Sequence, residues 1–344
     1  MNITKISALI GTLFLVTGCP KPPEVHVTEV LLQHETTLET IGFARDIAIY
    51  NDKVFVAASQ AGAQIWSYSS RGYSKDWETI FSSYNLEKIY FEPSTRLLFA
   101  VESKAIHYRL LDSNLTNIDT GYYNAEWVST FDQKIFSDGN TQELYIKADA
   151  GVVSVFVADG DYDDGFKHYS LSMTHDNVFN VDYWEPFGGK WFSGHMSGLT
   201  ISDSTLFLAQ EELGIRALKL YPDHAESLDS INTSGEALSV ATKGNSVFVA
   251  DNWAGLSIFN WNGSNFSLLS ELDTPGWVKQ ISFWNDFAFM SCGENGLIIV
   301  NVTDESNPWI DQKVDLGYIY SAKIVNDKLY CATRSGVQIY SLSK

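Results

Sequence analysis

Residues 235–275 read GEALSVATKGNSVFVADNWAGLSIFNWNGSNFSLLSELDTP, and the apolar runs in this stretch decide the fold class. Ala237–Ala241, Ser246–Ala250, Leu256–Trp261 and Phe266–Leu272 are short and rich in β-branched and aromatic residues, with turn residues between them. Such runs predict four strands, here called a, b, c and d. The inner runs are apolar on both faces, as a sheet covered on both sides requires. No amphipathic helix of useful length is present in the chain.

The b run recurs seven times, and its small terminal residue is taken at Ala57, Ala100, Ala148, Ala209, Ala250, Ser291 and Ala332. The steps between these positions are 43, 48, 61, 41, 41 and 41 residues. A glycine precedes the small residue by 15 positions in five repeats (Gly42, Gly194, Gly235, Gly276 and Gly317). Another follows it by five in four repeats (Gly62, Gly214, Gly255 and Gly296), with Gly336 one place early. A period of ~40–45 residues with four strands per unit is the signature of a β-propeller. The expected fold is therefore all-β, a propeller of seven four-stranded antiparallel blades over residues 26–344. The last repeat ends at Lys344 after strands a to c, so its outer strand must come from elsewhere or leave an open edge. Residues 26–33 are expected to supply it by pairing with residues 337–343.

The later repeats resemble the LVIVD-repeat propeller family of bacterial and archaeal surface proteins. The resemblance lies in Gly296-Leu297-Ile298-Ile299-Val300-Asn301-Val302-Thr303-Asp304 with Pro308 following, although Asn301 stands where the family carries Asp. Gly255-Leu256-Ser257-Ile258-Phe259-Asn260 matches more weakly. The resemblance implies a fold and an extracytoplasmic setting, and it transfers no catalytic residue.

Residues 1–18 carry one positive charge, Lys5, and an apolar run from Ile6 to Val16. That run is shorter than the about 20 residues that span a bilayer and has the length of a signal-peptide core. Val16-Thr17-Gly18-Cys19 resembles the lipobox of bacterial lipoproteins, which implies cleavage before Cys19 and its acylation (palmitate among the chains). Several acyl chains meet the two-signal requirement for stable anchoring. Pro20 follows the cysteine in place of Asp, which by the family's sorting rule implies the outer membrane. Three prolines in residues 20–25 make a semi-rigid tether that, with Cys19, forms a separate segment.

The chain has 42 acidic against 23 basic residues, a formal charge of −19. Such a surface repels phosphate backbones and argues against nucleic acid as a partner. Walker, GxGxxG, HExxH, GxSxG and CxxC motifs are absent. Gly194-His195-Met196-Ser197-Gly198 looks like a nucleophile elbow only superficially, because it shares the repeat register of Gly235-Glu236 and Gly276-Trp277. Cys292 and Cys331 occupy b runs of neighbouring repeats, facing the same way and about 10 Å apart. A disulfide needs Cα atoms within about 7 Å, so two buried free thiols are expected.

The 61-residue step suggests an insert at about residues 159–195, between the third and fourth blades. Asp159, Asp161 and Asp163 alternate there and resemble half of a calcium loop, but the glycine is late and Ser170 stands where Glu belongs. The stretch reads either as a Ca²⁺ site or as an acidic strand connection. Trp184, Trp191 and His195 read either as packing or as partner contacts. Strand alternation places the b–c loops and the d-to-a connections on one face, the top. That face then offers Glu102, Asp149, Glu211, Glu212, Asp251, Trp253, Glu294, Asn295 and Glu236. The tether enters at the bottom rim, and its reach of ~20 Å holds that rim at the membrane. The expected role is a non-enzymatic binding or scaffold lipoprotein that meets an envelope or extracellular protein through its top. The alternative is a hydrolase with a metal and carboxylates at the channel mouth, near His195, Glu236 and Glu126.

Overall fold

The computed structural model describes residues 27–80, 85–102, 105–116, 133–136, 140–149, 151–160, 165–173, 179–184, 194–221 and 224–344. Among them there is no helix; all regular structure is strand, numbered β1 to β28 in chain order. The strands form seven four-stranded antiparallel sheets. Their inner strands are β2 (Asp46–Tyr50), β6 (Lys88–Glu92), β10 (Thr141–Asp149), β14 (Gly198–Ser202), β18 (Ser239–Lys243), β22 (Gln280–Trp284) and β26 (Ile319–Val325).

Burial follows from this ring. A four-stranded sheet cannot bury its own faces, so each blade packs on its two neighbours. Seven apolar clusters result, one at each blade junction. The junction of blades five and six, for example, joins Phe248, Leu256 and Ile258 to Met290, Ile298 and Val300, all fully buried. Each such side chain contributes about 1.5–3 kcal/mol through burial. In blades one, four, five, six and seven the a–b turn has two residues and its first is left-handed, with φ from +50° to +60° at Asn51, Asp203, Gly244, Asn285 and Asn326.

The glycines at the start of strand c have one shared reason. Gly214, Gly255 and Gly296 have φ between +74° and +87°, and an added Cβ would lie 2.3–2.4 Å from the carbonyl oxygen ending strand d of the same blade. Gly336 repeats the relation in the last blade, where the facing oxygen, 2.1 Å from the added Cβ, is that of Leu38. The N-terminal segment therefore stands where strand d stands elsewhere.

Closure occurs as expected, but in a shifted frame. β1 (Leu31–Leu38) pairs antiparallel with β28 (Gly336–Ser343), running from Leu31 opposite Ser343 to Leu38 opposite Val337. Residues 337–343 are the partner expected, whereas the strand is 31–38 and not 26–33. Leu38, only 2% exposed, fills the seam between the last and first blades. Upstream, residues 28–30 lie against β25 (Trp309–Val314) of the sixth blade, the Glu29 amide donating to Asp311 Oδ1 at 2.7 Å.

The third blade corrects the sequence reading. Its strand b is β11 (Val152–Asp159), and Leu144–Ala148 belongs to the inner strand β10. The residues after it, read as an insert at 159–195, contain strands c and d of the same blade, β12 (Phe166–Met173) and β13 (Phe179–Trp184). The exposed Lys147 and Asp149 side chains mark Leu144–Asp149 as an inner strand, open to one side. Asp149 thus leads into an a–b turn on the bottom face and leaves the top-face set.

Candidate binding face

The b–c loops and the d-to-a connections share one face, because strands a and c run one way and b and d the other. At six junctions this face is laced by a backbone hydrogen bond between neighbouring blades. The donors are the amides of Ala44, Leu86, Met196, Ala237, Val278 and Ile319, and the acceptors are the carbonyls of Thr333, Ser59, Asp159, Glu211, Asn252 and Gly293, at 3.0–3.1 Å. The loops are thereby fixed to a rigid ring and present their side chains at constant positions.

Large apolar side chains are exposed on this face. Trp277 is 62% exposed, Trp253 52%, Ile41 51%, Phe43 47% and Leu213 44%. All five lie in b–c loops or d-to-a connections. Single exposed apolar side chains are common on protein surfaces, but several on one rigid face mark an interaction surface, and tryptophan is concentrated at binding surfaces.

Blades six, seven and one add cations to the aromatics. The Arg334 guanidinium lies 4.4 Å from the centre of the Tyr318 ring, and the Lys279 ammonium lies 5.7 Å from it. Tyr318 contacts Tyr320 at 4.5 Å between ring centres. Arg45 lies 4.7 Å over Tyr320, and Phe43 stacks on the same ring at 6.4 Å. A hydrogen bond to Tyr320 keeps the Arg334 charge firmly in place, raising its pKa. Arg334 and Arg45 thus lie over the electron-rich faces of the two rings, and Lys279 Nζ donates to the Tyr318 hydroxyl at 3.3 Å.

The central channel is a cavity of about 540 Å³ lined by all seven inner strands. Its charged lining residues are Glu143 and Lys323; Glu143 accepts hydrogen bonds from Lys88 Nζ at 3.0 Å and from the Tyr90 hydroxyl. Burial favours neutral Glu143, but Lys88 and Lys323 outweigh it and hold its pKa below the usual carboxylate value. Burial likewise opposes the Lys88 charge, and Glu143 and Asp46 reverse that effect and raise its pKa. The result is a fixed ion pair, a poor general acid or base near neutral pH.

The candidate residues from the sequence fall out as follows. Trp253 is exposed on the top face. Glu236 stands beside it and accepts a 2.7 Å hydrogen bond from Asn252 Nδ2. His195 is held by its own neighbourhood, Nδ1 sharing a hydrogen bond with the Gly160 carbonyl. Ser197 Oγ donates to Glu211. Asp251 is fully buried, accepting hydrogen bonds from Thr233 and the Gly235 amide in the connection from the preceding blade and from Ser257 in its own, so it offers nothing at the surface. Asp159 is its counterpart in the third blade, buried and bonded to the Asn140 amide at 2.7 Å and to Lys167 at 2.9 Å. Asp161, Asp163, Trp191, Glu126 and Cys19 lie outside the described residues, and Trp184 is described only as the end of β13. Among the described residues no group of three His, Cys, Asp or Glu side chains is placed to hold a metal.

The sequence reading missed Phe43, Trp277 and Tyr318, although the repeat marks them. Each directly follows the glycine that opens the d-to-a connection, the register position that His195 and Glu236 also occupy. Both remaining cysteines are free and buried. Cys292 packs with Phe248 and Met290, and Cys331 with Phe287 and Phe289, so both point toward the preceding blade.

LVIVD repeats are found at residues 234–272 and 275–315, the fifth and sixth blades. No match was found among curated proteins. Among solved structures, the computationally designed Ika8 protein, known from its crystal structure, is similar in fold. It has a TM-score of 0.59 and 10% sequence identity over 90% of this chain and 99% of that one.

Proposed function

We propose that this LVIVD-repeat propeller is a non-enzymatic binding or scaffold protein that holds an envelope or extracellular protein on its top face. The observation that carries this reading is the set of five exposed large apolar side chains gathered on that face, Trp253 and Trp277 foremost. Aromatic anchors on a rigid platform are what protein interfaces use, because they supply contact area at little conformational cost. The net charge of −19 keeps nucleic acid out of the partner list.

Anchoring belongs to the same reading. Cys19 carries the acyl chains, and the protein resides in the cell envelope as an outer-membrane lipoprotein. β1 starts at the bottom rim, where Leu31 stands opposite Ser343, so a tether entering there leaves the top free. Two experiments test this. Cys19→Ser should abolish incorporation of labelled palmitate and release the protein from membranes; retention of both refutes the anchor. A photo-crosslinking residue at Leu213 or Trp253 should capture a protein in cells, while one at Asn51 or Asn326 on the bottom turns should not. Adducts from the bottom alone, or from neither face, refute the top-face reading.

A further inference from the structure

The top face is not uniform, and blade six departs from the repeat at one residue. The second residue of the b–c loop is left-handed in four blades: Ser59, Glu211, Asn252 and Gly293, with φ from +45° to +56°. The first three use their side chains locally. Ser59 bonds Asn85 at 2.9 Å, Glu211 accepts from Ser197, and Asn252 bonds Glu236 at 2.7 Å. Gly293 has no side chain, and a Cβ there would sit 3.6 Å from the Tyr318 ring and 3.7 Å from Lys279 Cε. In place of that polar contact there is a cavity of about 330 Å³ lined by Trp277, Lys279, Gly293, Glu294, Asn295 and Tyr318. A volume near ~300 Å³ lies at the small end of ligand pockets and suits a single large side chain.

From this cavity the cations and rings run in a row across three blades: Lys279, Tyr318, Arg334, Tyr320, Arg45 and Phe43. Several lysines of this acidic chain pair with carboxylates, as in Lys53–Asp76, Lys167–Asp159, Lys243–Asp286 and Lys328–Glu35 at 2.5–3.1 Å, whereas others, such as Lys219 over Tyr221, rest on rings. Among the described residues no carboxylate lies within 4.0 Å of Lys279 or Arg334; Arg45 alone of the row has one, Glu87 at 3.7 Å. Glu294, on the cavity rim, interacts electrostatically with Arg334 without forming an ion pair, leaving Lys279 uncompensated. What sets this place apart is that Lys279 and Arg334 share one ring, Tyr318, beside a cavity, so that two cations side by side offer charge complementarity to an anion from outside.

We propose that this row is the docking groove for an extended acidic peptide segment of the partner protein, with one apolar side chain anchored in the cavity between Trp277 and Tyr318. The segment's carboxylates meet Lys279, Arg334 and Arg45, the planar guanidinium groups being suited to bidentate contact. The alternation of cation and ring along the row fits a strand of alternating side chains better than a compact ligand. This inference rests on the top-face reading, but it concerns blades six, seven and one only.

Three fluorescein-labelled peptides test it by polarisation on the full-length Cys19→Ser protein: Asp-Glu-Trp-Glu-Asp, Gln-Gln-Trp-Gln-Gln and Lys-Lys-Trp-Lys-Lys. The acidic peptide should bind most tightly, and raising salt from about 50 to 300 mM should weaken it. Lys279→Glu/Arg334→Glu should lower its affinity at least tenfold with an unchanged melting curve. Gly293→Asn, which refills the cavity, should weaken it independently of charge. Equal or tighter binding of the basic peptide, an effect of the charge reversal below twofold, or no binding by any peptide overturns the proposal. Crosslinking at Leu213 and Trp253 is read in the otherwise unchanged protein and uses none of these peptides, so failure here is separable from failure of the top-face reading.

Discussion

Leu38→Ala tests how the ring is closed. Leu38 ends β1, pairs with Val337 and is 2% exposed. It packs among Ala44, Ile47, Val54 and Trp66 of the first blade and Tyr330, Ala332, Val337 and Ile339 of the last. The chain passes from β1 into β2 through residues 39–45, but no peptide link joins β1 to β28 within the last blade, so the β1–β28 ladder and these contacts hold the ring shut. Truncating a fully buried leucine costs about 2–5 kcal/mol, from lost transfer energy plus the cavity left behind. For a domain of this size each kcal/mol lowers the melting temperature by about 2 °C, so the expected drop is roughly 4–10 °C. The control is Leu31→Ala in the same strand; Leu31 is 60% exposed, and its change should stay within about 0.5 kcal/mol. Calorimetry supplies the melting temperature, and hydrogen exchange of β28 amides should rise in the Leu38 variant alone. If Leu38→Ala melts within about 1 °C of the parent, or Leu31→Ala proves the costlier change, the register of closure argued above is wrong.

Gly255→Ala places a Cβ 2.4 Å from the Leu272 carbonyl at φ +87°, whereas Gly263→Ala, at φ +95°, meets nothing within 4 Å. Gly263→Ala should cost only the left-handed strain of about 1–2 kcal/mol, and Gly255→Ala clearly more; equal losses on thermal melting would contradict the close approach. Burial raises both thiols, Cys292 to about 12, so neither should react with an aromatic disulfide at pH 8 in the folded protein. Both should react after denaturation, and a count of zero would mean that they are bonded. Burial lowers the His168 pKa to about 4, below its ordinary 6.5. The neutral ring's contribution is complete above pH 6.5 and is lost as pH falls toward 4, on the order of 2 kcal/mol by pH 5. Denaturant titrations should show His168→Gln losing less stability than the parent between pH 7 and 5, and parallel losses would rule the histidine out.

The strand pattern of blades four to seven is legible because each unit spans 41 residues and its strands share one register. In blade five, strands b, c and d occupy the residues expected, Ser246–Ala250, Leu256–Trp261 and Phe266–Leu272, and strand a differs by two. The third blade misleads because Leu144–Ala148 is as apolar as a b strand, although its Lys147 and Asp149 side chains are open to solvent. A clearer signal was present: Val155-Phe156-Val157-Ala158 is identical to Val54-Phe55-Val56-Ala57 and to Val247-Phe248-Val249-Ala250. The N-terminal strand was placed five residues early for a related reason. Residues 26–33 alternate as well as 31–38 do, and only the fixed position of Gly336 against the Leu38 carbonyl chooses between them.

By itself, then, the sequence determined what depends on local spacing: strands, turns, blade number, the need for a closing strand, and two thiols too far apart to bond. Only the tertiary structure decided which side chains meet. Lys279, Tyr318, Arg334, Tyr320, Arg45 and Phe43 lie in connections almost 300 residues apart along the chain, and ring closure is what makes the first blade a neighbour of the last. Exposure was decided there too. Asp251 and Glu294 lie two places apart in equivalent loops, the first and third residues after strand b, yet one is a buried cap and the other lines an open cavity. Periodicity fixes where a residue sits in its blade, whereas the cost of burying a charge is set by the partners that the next blade brings to it.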